Sequence, residues 1–303
     1  MSFTTELAIT LKPTSSRSAL SIAPITTLDG LISKQGHGLS ILTIEHVQCW
    51  GLIAQYESEK MAFPRAWMSS GRCTRLAQML GLHQLDKDTQ LSKRILPPAN
   101  DWIELETRRR SFWSAFHNDR WSTCGTGWPV VIDDREISTN LPSSEQAYLA
   151  GTPETAPSLD NVRSGYGMSQ VSAFGGAIII ADMIGRIREH LHFERPSDQS
   201  RNHEIQPFWT RHVKLDNELS TLFMRLPTHL KLPEGVRDST AVSLNMNIHS
   251  LVISLHRAMI MKVEDSCPDP DLISRSQARC ETAAEEIVNI LRLNSHMYFA
   301  GVG

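Results

Sequence analysis

Residues 101–120 read DWIELETRRRSFWSAFHNDR. Asp101 three positions ahead of Glu104 forms a capping box, the signature of a helix start. Trp102, Leu105, Arg109, Phe112 and Phe116 then recur at spacings of three and four, with Trp113 beside them. That period belongs to an α-helix and excludes a strand. Pro97–Pro98 breaks the chain just upstream, and Asp119–Arg120 close the element. Glu104 leads Arg108 and Glu106 leads Arg110, each by four residues, an arrangement worth roughly 0.2–0.5 kcal/mol per pair on a helix surface. Arg108 and Arg110 are therefore expected on solvated faces. Arg109 falls on the aromatic stripe, where it is expected to pair internally or to stack on Trp113 or Trp121.

The same period extends outward in both directions. Ile41, Ile44, Val47, Cys49–Trp50 and Ile53–Ala54 share one face from Ser40 onward. Pro64 can open a second helix through Trp67, Cys73, Leu76–Ala77 and Leu80. Gly81 is placed to end it, while Gly71 and Ala77 are expected to allow close helix approach. Helical pattern resumes at residues 168–191, 205–226, 240–263 and 272–293, each bounded by Pro or Gly. No alternating β-branched run is long enough for a central strand. The expectation is an all-α chain of about seven main helices, with a loosely ordered lead-in over residues 1–39 and a helical domain over residues 40–303. Turn-forming residues crowd into 125–165 (Gly125, Gly127, Pro129, Pro142, Gly151, Pro153, Pro157), which reads as a long loop, expected to be disordered near 150–165.

Composition narrows the function. Apolar residues make up 41% and charged residues 21% of 303, which excludes a wholly disordered or collagen-like chain. The longest apolar run, residues 173–181, is too short to span a bilayer, and no membrane partner is expected. A net charge of −3 gives no basic excess with which to neutralise phosphates, so DNA contact is expected to be indirect. The five cysteines (Cys49, Cys73, Cys124, Cys267, Cys280) are scattered and never paired as Cys-x-x-Cys, so they read as reduced thiols.

Catalytic signatures are missing. There is no nucleophile elbow and no phosphate-binding loop. His203–Glu204 begins like a zinc-protease motif, but Pro207 stands where the second His must be. His190, His192 and Glu194 alternate at a helix end, where histidines favour the negative pole of the helix dipole. Asp133–Asp134 sit in a turn that Asp side chains cap. No catalytic residue, cofactor or metal ligand is assigned. If a small-molecule effector binds, its pocket is expected along the aromatic stripe: Trp102, Arg109, Phe112, Trp113, Phe116, Trp121 and Trp128.

One ordered combination says more than any single motif. Ala66-Trp67-Met68, Gly71-x-Cys73-x-Arg75-Leu76-Ala77-Gln78 and Leu80-Gly81-Leu82-His83 are followed by Glu104-x-Glu106-Thr107-Arg108-Arg109-Arg110-x-Phe112-Trp113. Asp119-Arg120, Gly127-x-Pro129, Leu141-Pro142 and Leu226-Pro227-x-His229-Leu230 come next, then Leu255-His256-Arg257 and Cys280-x-x-Ala283-Ala284-x-x-Ile287. This order resembles the fungal-specific transcription factor domain, the helical regulatory region of the fungal binuclear zinc-cluster transcription factors, over roughly residues 40–293. The resemblance implies a nuclear transcription regulator, otherwise cytoplasmic, possessing no enzyme activity and acting on a metabolic pathway. Its implied partners are another transcription factor or a second copy of itself through the helices, and a small effector. The alternative is a helical interaction module that hetero-dimerises with a full-length factor, or titrates it, without touching chromatin. Family members carry six cysteines around two zinc ions ahead of this domain. Here zinc is expected only if such a cluster lies upstream, and the chain reads as shortened at both ends relative to the family.

Overall fold

Helix α1, Ile44–Glu59, begins three residues after Ile41, the first apolar residue of the period. Thr43 caps it by accepting from the His46 N–H. The computed structural model describes residues 42–87, 95–124, 126–192, 207–266 and 270–300, so the lead-in expected over 1–39 lies outside them. Helix α2, Phe63–Met79, carries Pro64 in its first turn, where a missing N–H costs nothing. Past its end, Gly81 takes φ +72°, the left-handed conformation that terminates helices at glycine. α3 spans Trp102–Trp121. Asp101 accepts from the Glu104 N–H at 2.7 Å, but Glu104 returns its bonds to Asn100 rather than to its cap, so the capping box is half formed.

α1 and α2 pack as an antiparallel pair, and both pack on α3. Val47, Trp50, Ile53, Cys73, Leu76 and Ala77 fill the space between them. The Cys73 thiol donates to the Val47 carbonyl, and burial, with Asp119 and Cys49 nearby, pushes its pKa up to about 12. Gly71 plays no part in this contact, since a Cβ there would meet nothing. Buried Glu57 is held by the Ser69 hydroxyl at 2.7 Å and by Arg65 at 3.1 Å. The stretch expected as a loop disordered near 150–165 instead holds two short helices, α4 (Glu145–Ala150) and α5 (Leu159–Arg163), capped by Ser144 and Ser158. Elements this short show no period to read. These elements belong to one compact unit, which ends at Gly167.

A second compact unit begins at Met168. It contains α6 (Ala173–His192), α7 (Pro207–Arg225), α8 (Ser239–Ser266) and α9 (Pro270–Ala300). α6 is buried without a break from Gly175 to Ile184, because α7 and α8 both pack against it. α8 also pairs along α9. At the turn before α8, a Cβ on Gly235 would lie 2.6 Å from the His229 carbonyl, so only glycine fits. Asn245 donates to the Leu230 and Ala241 carbonyls and ties that turn to α8. Between helices, His256 reaches Asp216 at 3.3 Å and Arg279 reaches it at 2.5 Å, which holds the Asp216 carboxyl down at about 2. Among the described residues there are nine helices, seven of them longer than six residues, and no strand. The all-α expectation holds.

Candidate functional site

The three consecutive arginines of α3 do not face solvent. The helix is buried continuously from Arg108 to His117, and a charge placed there must find partners. Arg108 bonds Glu104 at 2.5 Å and the Pro97 carbonyl at 2.7 Å. Arg110, 1% exposed, bonds Glu106 at 3.1 Å, Glu145 at 2.5 Å and the Ser143 carbonyl at 3.1 Å, and stacks over the Tyr148 ring. The two i,i+4 pairs therefore form, but in a buried setting. The solvated faces expected for Arg108 and Arg110 are corrected: the chain around Pro97 and Ser143–Ser144 covers them. Arg109 does pair internally, with Asp86 through Nε and Nη2 and with Glu106 at 3.5 Å. Asp86 also accepts from the Asn140 N–H at 2.8 Å. Neither Trp113 nor Trp121 is its stacking partner; on α3 it is Arg110 and Arg120 whose guanidinium groups lie over rings, those of Tyr148 and Phe116.

A second ion cluster closes α3. The Asp119 carboxylate accepts from the Val131 N–H at 3.0 Å, the Ile132 N–H at 3.1 Å and Arg120 at 2.7 Å. Arg120 donates to the Ile132 carbonyl at 2.9 Å and pairs with Asp134, which also binds Arg163 of α5 at 2.6 Å. Asp119 and Asp134 thus fasten backbone and cations together.

The seven aromatic-stripe residues go to four places. Phe112, Trp113 and Phe116 form a fully buried cluster with ring centroids 4.9–6.5 Å apart, and the Trp113 N–H donates to the Asn140 carbonyl. Trp121 lies 5.7 Å from His117. Trp128 packs on Trp67 at 5.1 Å. Trp102 and Arg109 come together on a cavity of about 230 Å³, whose other walls include Asn140, Pro153, Glu154 and Ala156. Asn140 and the 153–156 wall escaped the sequence reading because no period or motif marks a loop residue.

Three histidines of the second unit, His190, His212 and His256, are buried. His190 stacks on Phe208 at 4.3 Å, and His212 lies 5.7 Å from His190 and 5.4 Å from His256. Burial first, then the neighbouring His256 and His190, lowers the His212 pKa to about 4. His192 is exposed, whereas Glu194, His203, Glu204 and Cys267 lie outside the described residues. Among the described residues no group of three or more His, Cys, Asp or Glu can hold a metal ion, and no helix is long and apolar enough to cross a membrane.

In this helical scaffold the charged groups of α3 tie its own loops down. The model of the fungal-specific transcription factor domain matches residues 13–220, and the chain belongs to that family. It is 30% identical over 249 residues to a citrinin biosynthesis transcriptional activator of Monascus ruber, covering 82% of this chain and 48% of the relative. A pigment biosynthesis transcriptional activator of the same organism is 28% identical, covering 82% and 45%. A depudecin biosynthesis cluster-specific transcription activator of Alternaria brassicicola is 27% identical, covering 83% and 39%. The chain thus spans less than half the length of these relatives. No solved structure matches it.

Proposed function

We propose that this protein regulates transcription of a biosynthetic gene cluster, in the nucleus and without a catalytic step of its own. The observation that carries the reading is the family match joined to relatives named as activators of biosynthesis over four fifths of the chain. In this reading the helical domain works through contact with another factor or a second copy of itself, and through a small effector. The absence of a basic excess and the internal pairing of Arg108, Arg109 and Arg110 argue that these residues do not serve as a phosphate-binding patch. Chromatin immunoprecipitation of the tagged chain, with and without its nearest full-length relative, is the test. Enrichment at promoters of a biosynthetic cluster, with transcripts that fall on deletion, is expected. Enrichment in neither background, with transcripts unchanged, would refute the reading and leave the chromatin-free interaction module in its place.

A further inference from the structure

We propose that the cavity between Trp102, Arg109, Asn140 and the Pro153–Ala156 wall binds a small, flat, uncharged ring compound bearing a carbonyl or phenolic oxygen. The inference deepens the effector arm of the reading above, and its test uses purified protein, away from any promoter.

Each wall is held by the fold. Trp102 opens α3 and is half-buried. The opposite wall is fixed at three points. Gly151, in the left-handed conformation, sets the chain against Ile103, the Ser144 N–H donates to Glu154 at 2.7 Å, and the Leu141 N–H donates to the Pro157 carbonyl at 2.9 Å. About 230 Å³ is below the roughly 300–1,000 Å³ of sites for drug-sized ligands, so the occupant is small.

Polarity follows from the partners already made. A guanidinium has five N–H donors. In Arg109, Asp86 takes two and Glu106 takes one, which leaves two N–H groups without an acceptor among the described residues. The Asn140 backbone is engaged at both its N–H and its carbonyl, while its side-chain amide makes no hydrogen bond. Both residues line the cavity, and in this proposal a ligand oxygen accepts from one or the other. The indole of Trp102 and the ring of Pro153 offer flat apolar surface, which favours a planar partner. An anion is disfavoured, because Asp86 and Glu106 already answer Arg109 and exposed Glu154 adds a further negative charge.

The probe is coumarin, titrated calorimetrically into the full chain beside coumarin-3-carboxylate. Coumarin is expected to bind with a dissociation constant on the order of 0.1–1 mM. Trp102→Leu removes the flat wall and Ala156→Phe fills the space. Each is expected to weaken coumarin about tenfold or more while leaving the helical circular dichroism unchanged, and the carboxylate is expected to bind at least about tenfold more weakly than coumarin. No binding to the parent protein up to the solubility limit, binding indifferent to both substitutions, or equal binding of the carboxylate would each overturn the proposal. None of these results would touch the promoter experiment.

Discussion

At the scale of single residues, three adjacent arginines hold three different positions. Arg110 is the nearest cation to Glu106, which is wholly buried and without that arginine would keep only the Ser143 N–H and a 3.5 Å contact to Arg109. Arg109 shares Asp86 with a backbone N–H that would still hold the carboxylate if the arginine left. Arg108 serves a partly exposed glutamate and one carbonyl. The cost of truncation to alanine should therefore rank Arg110 above Arg109 above Arg108: about 3–5 kcal/mol where a wholly buried carboxylate loses its nearest cation, about 1–3 and about 1 kcal/mol for the other two. Urea midpoints of the three variants check the order. Equal losses would mean that solvent reaches all three sites. The i,i+4 pairing was legible in the sequence because it depends only on helix period. The burial was not, since it depends on Pro97, Ser143 and Ser144, which arrive from distant chain. Asp86, twenty-three residues ahead of Arg109, could not be found by any spacing rule.

At the scale of elements, α3 is an axle whose ends and sides receive the loops. Its C-terminal Asp119 takes two backbone N–H groups of the 130–132 segment and orients Arg120 toward the Ile132 carbonyl. Asp119→Ala would leave Arg120 buried beside a single remaining carboxylate, Asp134. A loss of about 3–5 kcal/mol is expected, with limited proteolysis cutting first within residues 126–135. Cleavage elsewhere at unchanged stability would refute the latch. The long helices were readable from apolar period alone, and Gly81 stopped α2 where its position indicated. The short helices α4 and α5 were not readable, because six and five residues hold too few turns to display a face. For the candidate site, Trp102 and Arg109 were readable from the stripe, but the loop that walls them in was not.

At the scale of the whole molecule, each compact unit buries a histidine whose pKa is lowered to about 4. His117 in the first unit is lowered by burial against the opposing effect of Asn118, and His212 in the second by burial, His256 and His190. Both values lie below the ordinary 6.5, so protonation favours the unfolded chain. Their contribution to stability is complete above pH 6.5 and is lost as pH falls from 6.5 through 4. At about 1.4 kcal/mol per unit, each histidine withdraws on the order of 3 kcal/mol across that window. His212→Leu should reduce the acid dependence of the urea midpoint between pH 6.5 and 4, and an unchanged pH profile would count against its burial as a neutral ring. The arginine and aspartate anchors of α3 have a different consequence. They grip main-chain atoms: the Pro97, Ile132, Ser143 and Ser144 carbonyls and the Val131 and Ile132 amides. Every residue type offers the same carbonyl, and all but proline the same amide, so such clasps are blind to side-chain identity. At these gripped positions a change of side chain leaves the clasp itself in place, whereas adding or deleting one residue would slide the rungs out from under their hooks.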